Sequence, residues 1–251
     1  MINGKTLILR FSSLGDVVMT VPIIRSLEKK YPENKFIFVT RPKFTPFFQE
    51  FNNVETFELD LKKRHKGFLG LFRLFSDLKK LKPKRIADLH SVLRTQLLSF
   101  LFKMIFIKVS VIDKKRKERK ALTRKNNKIF KPLTPIHFLY QEVFNKLGFS
   151  IDLTKDHVYP PSKVFNLNTN TIDIETGKLI GIAPFAKHQG KMYPLDLMQK
   201  IVSYIQDNHT VFLFGYGKIE MQTINRWSSA LNNVYSCEDL GGFENEVALI
   251  S

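Results

Sequence analysis

The sequence predicts an α/β fold made of two parallel-sheet units joined by a linker. Three observations lead there. Short apolar runs alternate with longer stretches whose apolar residues recur every three or four positions, which is the pattern of βαβ units. The alternation pauses at Gly148 and restarts at Lys178. Between them lies an aperiodic stretch with Pro160-Pro161 and several Asn and Thr residues. The expected organisation is a first domain over 1–150, a linker over 151–177 and a second domain over 178–251. A chain of 251 residues suits one large domain or two smaller ones.

In the first domain, Lys5–Phe11 reads as a buried strand and Ser12–Gly15 as a turn. Asp16 to Lys30 reads as one helix, with Val17, Val21, Ile24 and Leu27 on one face, ended by Tyr31-Pro32. Lys35–Thr40 is a second strand, 43–51 a Phe-rich helix, and Glu55–Asp60 a third strand. Lys66–Leu81 is an amphipathic helix whose spacing turns Phe68, Leu71, Phe72, Phe75 and Leu78 inward. Arg85–His90 is a fourth strand, Ser91–Met104 a helix and Phe106–Ile112 a fifth strand. Lys114–Lys125 reads as a basic loop, and His137–Leu147 as a helix closed by Gly148.

In the second domain, Lys178–Ala183, Thr210–Phe214 and a short run near Val234 read as strands. Pro194–Asp207 and Ile219–Leu231 read as helices between them. A turn at Asp239–Gly242 and a helix start at Glu244 follow. The last helix carries no stop signal at Ser251, so the reading expects a longer two-domain protein with this second sheet unfinished. Ligands of such sheets gather at the carboxyl ends of the strands, which puts Ser12–Asp16 and Asp88–Arg94 on one rim.

Composition excludes several classes. Apolar residues are 43% and charged residues 25%, a globular balance rather than a disordered one. One cysteine, Cys237, excludes a disulfide scaffold and a cysteine-based zinc site. No apolar run reads as a secretory leader or a membrane span, since Lys103 and Lys108 interrupt the greasiest stretch. The expected location is the cytoplasm.

Charge is unevenly spread. The formal net charge is +17, yet 1–148 holds 32 basic and 12 acidic residues, whereas 149–251 holds 8 and 11. One half therefore faces something anionic, or simply presents a solvated basic face. The run Lys114–Lys120 (KKRKERK) comes with no RNA-binding pattern, so a membrane surface fits it better than nucleic acid.

The strongest local signal is Arg10–Pro22, RFSSLGDVVMTVP: a strand, a small-residue turn, then a helix. Gly15 lets a ligand approach the backbone, and free N–H groups at the helix start suit an anion. Asp16 stands at that start, where a carboxylate also stabilises the helix dipole. The absence of G-x-G-x-x-G disfavours a dinucleotide oxidoreductase.

This segment resembles the N-terminal signature of glycosyltransferase family 9, the ADP-heptose:lipopolysaccharide heptosyltransferases. Ser12, Ser13, Gly15, Asp16, Thr20 and Pro22 match its S-S-x-G-D and T-x-P pattern. Asp88 through Arg94, Ile180–Pro194 with its K-x-[WY]-P element, Val211–Glu220 and the D-L-x-G turn at Asp239 are similar to later segments, in order. The resemblance implies a GT-B fold, with two Rossmann-like domains facing a cleft, acceptor on the first and nucleotide-sugar donor on the second.

It further implies an inverting transfer, without metal or other cofactor, of a sugar such as heptose from ADP-heptose to a lipopolysaccharide core or lipid A acceptor. Asp16 would be the general base; Ser12, Ser13, Gly15, Thr20 and Arg94 would line the acceptor side. Lys191 would meet the donor diphosphate and Glu220 the donor nucleoside. The implied partners are a nucleotide sugar, an anionic glycolipid and the inner-membrane surface, with no nucleic acid. The family's diphosphate-cradling Asp–His motif would lie beyond residue 251. Three alternatives stand beside this reading: a same-fold transferase using another nucleotide sugar, a non-catalytic remnant, and a basic nucleic-acid-binding protein.

Overall fold

A computed structural model describes residues 4–157, 178–186, 188–241 and 243–250. Most of the expected linker, and Gly242 of the expected terminal turn, lie outside the described residues. The chain divides into two compact units, Met1–Tyr159 and Pro160–Ser251.

The first unit is a five-stranded parallel sheet. Its strands are β1 (Thr6–Leu9), β2 (Phe36–Thr40), β3 (Val54–Glu58), β4 (Arg85–Asp88) and β5 (Lys108–Val111), in the order β3-β2-β1-β4-β5. The order reverses between β1 and β4, where Leu9 is in register with Asp88. Both faces of β1, β2 and β4 are buried, as continuous apolar runs in a parallel sheet require. Ile8, Phe36, Phe38 and Ala87 pack under α2 (Val21–Lys30) and α6 (Ile136–Leu147). Leu7, Leu9, Ile37, Val39 and Ile86 pack under α3 (Gly67–Lys80) and α4 (Leu93–Met104). Helices therefore cover both faces of the sheet.

The structure departs from the sequence reading in five places. The single helix expected over 16–30 is two, α1 (Leu14–Val18) and α2. Pro22 has no N–H to continue the first helix, and its ring clashes with the carbonyl four residues back. The Thr20 hydroxyl donates to the Val17 carbonyl at 2.6 Å and closes α1. The Phe-rich helix near 43–51 is a 3-10 helix, Pro42–Phe48, interrupted by Pro46. The basic loop at 114–125 contains α5 (Arg116–Thr123), whose Arg, Lys, Glu, Ala and Leu are strong helix formers. Ile151 and Leu153, expected in the linker, are buried in the first unit's core, and the Ile151 N–H bonds the Asn145 side chain at 2.9 Å.

The fifth departure is the rotation of α3. Leu71, Leu74 and Leu78 point inward, while Phe68 and Phe72 are exposed. A Cβ at Gly70 would come within 2.3 Å of the His65 carbonyl carbon. That close approach fixes the helix on its Gly70–Leu71–Leu74 side.

The second unit holds a three-stranded parallel sheet in the order β6 (Leu179–Ile182), β7 (Thr210–Leu213), β8 (Val234–Ser236). α7 (Leu195–Ile205) and α8 (Lys218–Ser228) connect these strands, and α9 (Phe243–Ile250) follows. Its core gathers Val202, Val211, Leu213, Ile224 and Trp227. Among the described residues, no helix is long and apolar enough to cross a membrane.

Candidate functional site

The order reversal falls between the carboxyl ends of β1 and β4, the place where parallel sheets bind ligands. Two loops shape it. The first runs from Arg10 through α1. The second follows Asp88, which is fully buried and accepts N–H bonds from His90 at 2.9 Å and Ser91 at 2.8 Å through Oδ1. Burial pushes the Asp88 carboxyl up, and those two N–H bonds oppose it. Asp88 is thus a turn-forming group, which bends the chain so that Ser91 takes φ 45°.

Arg10 organises this end of the sheet. It is 4% exposed, and Nη1 donates to the Leu89 carbonyl at 2.7 Å, which ties the first loop to the second. Its Nη2 forms an ion pair with Asp16 Oδ2. The Ser13 hydroxyl donates to the same oxygen at 2.8 Å, and the Ser13 N–H approaches it at 3.4 Å. Among the described residues, Asp16 Oδ1 accepts nothing, and the side chain is 41% exposed. Burial raises the Asp16 pKa, but the Ser13 hydroxyl and the Arg10 guanidinium outweigh it and hold the carboxyl below its ordinary value. The carboxylate is therefore ionised at neutral pH, with one oxygen clamped and one open.

Around this anion the rim is cationic. Lys114 Nζ donates to the Ser91 carbonyl at 3.4 Å, and its pKa is lowered by burial and by Arg10. His90 packs edge-on against Phe11 with centroids 5.5 Å apart, and its Nδ1 is buried without a partner among the described residues. Burial, with Arg10 and Lys114 nearby, pushes the imidazole down to about 4, so it is neutral. Beneath, the buried Tyr140 hydroxyl donates to the Asp16 carbonyl at 3.2 Å, and burial pushes that phenol up to about 12.

The other expected acceptor-side residues differ in position. Ser13 is exposed and Ser12 half-buried in the turn. A Cβ at Gly15 would stand in open space, so the chain's own packing does not require glycine there. Thr20 is fully buried with its hydroxyl spent on Val17, so it shapes the α1–α2 junction instead of facing a ligand. Arg94 is half-buried and donates to the His65 carbonyl at 2.7 Å and the Gly67 carbonyl at 3.4 Å, which fastens the start of α4 to the start of α3. The helix start at Asp16 belongs to α1, which is five residues long. Arg10 is the residue of this cluster that the sequence does not single out. An arginine closing an otherwise apolar strand was the available signal.

In the second unit, Lys191 ends a 3-10 helix, Gln189–Lys191, that follows β6, and its side chain is exposed. Glu220 lies in the first turn of α8, where Oε2 accepts the Tyr216 N–H at 2.8 Å. The two residues sit on segments leaving the carboxyl ends of neighbouring strands β6 and β7. A Cβ at Gly215 would meet Ile224 Cδ1 at 2.6 Å, so a larger residue there would have to displace the end of that side chain. Gly217 takes φ 83°, a conformation that glycine adopts at little cost.

No family model matches the chain, and no curated protein matches it by sequence. Solved structures match its fold. A family 9 glycosyl transferase from Veillonella parvula superposes with a TM-score of 0.64 at 19% identity, over 95% of this chain and 71% of that one. The Escherichia coli heptosyltransferase WaaC with ADP gives 0.60 at 15% identity, over 92% and 74%. The E. coli ADP-heptose lps heptosyltransferase II gives 0.59 at 18% identity, over 98% and 76%. The chain thus has the GT-B-like α/β fold of two Rossmann-like units that these glycosyltransferases share.

Proposed function

We propose that the chain is a glycosyltransferase of the heptosyltransferase kind, which moves a sugar from a nucleotide sugar to a hydroxyl of an anionic glycolipid with inversion. The observation that carries this reading is the half-open Asp16 carboxylate, anchored through Oδ2 and free at Oδ1, at the order reversal of the sheet. Likeness of fold to heptosyltransferases, one of them solved with ADP, supports it and favours ADP-heptose as the donor.

The acceptor oxygen attacks the anomeric carbon and the bond from that carbon to the phosphate oxygen breaks. The nucleoside diphosphate leaves with the bonding electrons, and the hydroxyl proton passes to Asp16 Oδ1. An ionised carboxylate placed within hydrogen-bond reach is a competent general base. Arg10 and Ser13 leave the open oxygen in a fixed direction, which reduces the reorganisation needed at the moment of transfer. Arg41 and Lys114, whose charges both act on His90, suit the phosphates or carboxylates of a lipopolysaccharide acceptor. Lys191 would neutralise charge on the departing diphosphate, and Glu220 would accept donor ribose hydroxyls.

The test is release of nucleoside diphosphate when the chain meets ADP-heptose and a lipid A–core acceptor. Release that requires the acceptor is the expected result. No release from ADP-heptose but release from another nucleotide sugar would keep the transferase reading and change the donor. No release from any nucleotide sugar would overturn it.

A further inference from the structure

The outward face of α4 is as apolar as its inward face. Leu98 and Phe102 fill the core, yet Leu93, Leu97, Phe100 and Met104 recur at helical spacing and are all exposed. A surface helix ordinarily turns polar residues to water. α3 extends the patch: Phe68 is 68% and Leu69 71% exposed, and Phe68 meets Phe72 edge-on at 5.1 Å. The two helices begin side by side because Arg94 donates to the carbonyls of His65 and Gly67. Phe106, just past α4, is 97% exposed.

Cations frame this patch. Residues 61–108 contain thirteen Lys and Arg against two acids, Asp77 and Asp88. Neither acid offsets them at the surface: Asp88 is buried, and Asp77 is held by Arg64 in a two-point pair at 2.7 and 2.8 Å. Lys62, Lys63, Lys66, Arg73 and Lys103 remain exposed.

We propose that the α3–α4 face docks on an anionic lipid bilayer. Its Phe, Leu and Met side chains enter the boundary between headgroups and acyl chains, while the surrounding Lys and Arg meet lipid phosphates. Charge decides the occupant. A second copy of this face would set one lysine-rich surface against another, whereas an anionic leaflet complements both the cations and the apolar side chains. The apolar part of this surface lies on α3 and α4 and not on the Lys114–Lys120 stretch that the sequence suggests for a membrane. Helix α5 shows no exposed large apolar side chain and buries none. The inference goes beyond the transfer reaction, since lipid binding needs neither Asp16 nor a nucleotide sugar.

The experiment is flotation of the full chain with phosphatidylcholine vesicles, with and without about a third phosphatidylglycerol. Binding to the anionic vesicles alone is expected. Replacing Phe68, Phe100 and Phe106 together by Gln should weaken it at least about tenfold, with the melting temperature retained. Lys66→Glu with Lys103→Glu, at two exposed positions, should weaken it comparably and guards against misfolding of the triple variant. Undiminished binding by the folded triple variant or by the double variant would overturn the proposal, as would equal binding to uncharged vesicles. A lipid-free dimer that the triple variant turns into a monomer would assign the face to a second copy and also overturn it.

Discussion

Arg10 and Asp16 form an ion pair between a buried guanidinium and a half-open carboxylate. The pair joins structure to chemistry. Arg10 needs an anion because an unpaired charge at its depth is costly, and in the proposed transfer Asp16 needs a fixed direction to act as a base. The same contact satisfies both.

Ser13→Ala removes one of the groups that hold the Asp16 pKa down. With the bond lost, the carboxyl moves upward towards its ordinary value. The unprotonated form then disappears at higher pH, so the acid-side fall in kcat/KM should shift upward. A pH–rate profile measures this. Ser13 precedes a five-residue helix, so the stability cost should stay near or below about 1 kcal/mol. An unchanged or lowered acid limb would remove Asp16 from the ionisation that governs turnover.

Thr20→Val keeps the shape of a buried side chain and deletes its bond to the Val17 carbonyl. A loss of about 1 kcal/mol in unfolding free energy is expected, read by chemical denaturation. The KM for acceptor should not change. A raised acceptor KM with unaltered stability would return Thr20 to the binding surface.

His90 gives a pH dependence of stability whose sign is fixed. Its folded-state pKa, about 4, lies below the ordinary 6.5. Between those values the unfolded chain binds a proton that the folded chain does not, so stability falls as pH drops through that window. His90→Phe should flatten that part of the stability–pH curve. It should also cost little at neutral pH, because the buried Nδ1 makes no bond among the described residues. Melting curves across the window decide it; an unchanged slope in the variant would show that another group titrates.

Much of this fold was legible in the sequence, for identifiable reasons. Strands such as Phe36–Thr40 announce themselves because both faces are buried and no polar residue interrupts them. The end of α6 was legible because Gly148 takes φ 106°. What escaped depends on contacts that local spacing does not encode. The rotation of α3 follows from Gly70 lying on the His65 backbone, so a spacing that favours Phe68 and Phe72 points the wrong way. The break at Thr20 needed weight on Pro22 over an otherwise continuous apolar period. Asp16 was legible as a strand-end acid, but its clamp was not. Arg10 is oriented by the Leu89 carbonyl, 79 residues away.

Lys191→Ala tests the second unit. The side chain is exposed, so stability should change by no more than about 0.5 kcal/mol. Loss of a charged partner for phosphate should weaken donor binding by about tenfold, measured by calorimetry with the nucleotide sugar. Acceptor binding should be unaffected. Unaltered donor binding and turnover would exclude Lys191 from the donor site.

Turnover by Asp16→Asn tests the central claim most directly. From the sequence alone this variant is expected to leave stability intact, because Asn also caps helices well. Arg10 changes that expectation: its buried guanidinium loses its anion, so a lower melting temperature should accompany the substitution. The rate must therefore be measured well below that melting temperature, with donor binding checked in parallel. The expected result is a kcat reduced by about 10²–10⁴ with nucleotide-sugar affinity retained. Near-wild-type turnover by the folded variant would contradict the role of Asp16 as the general base.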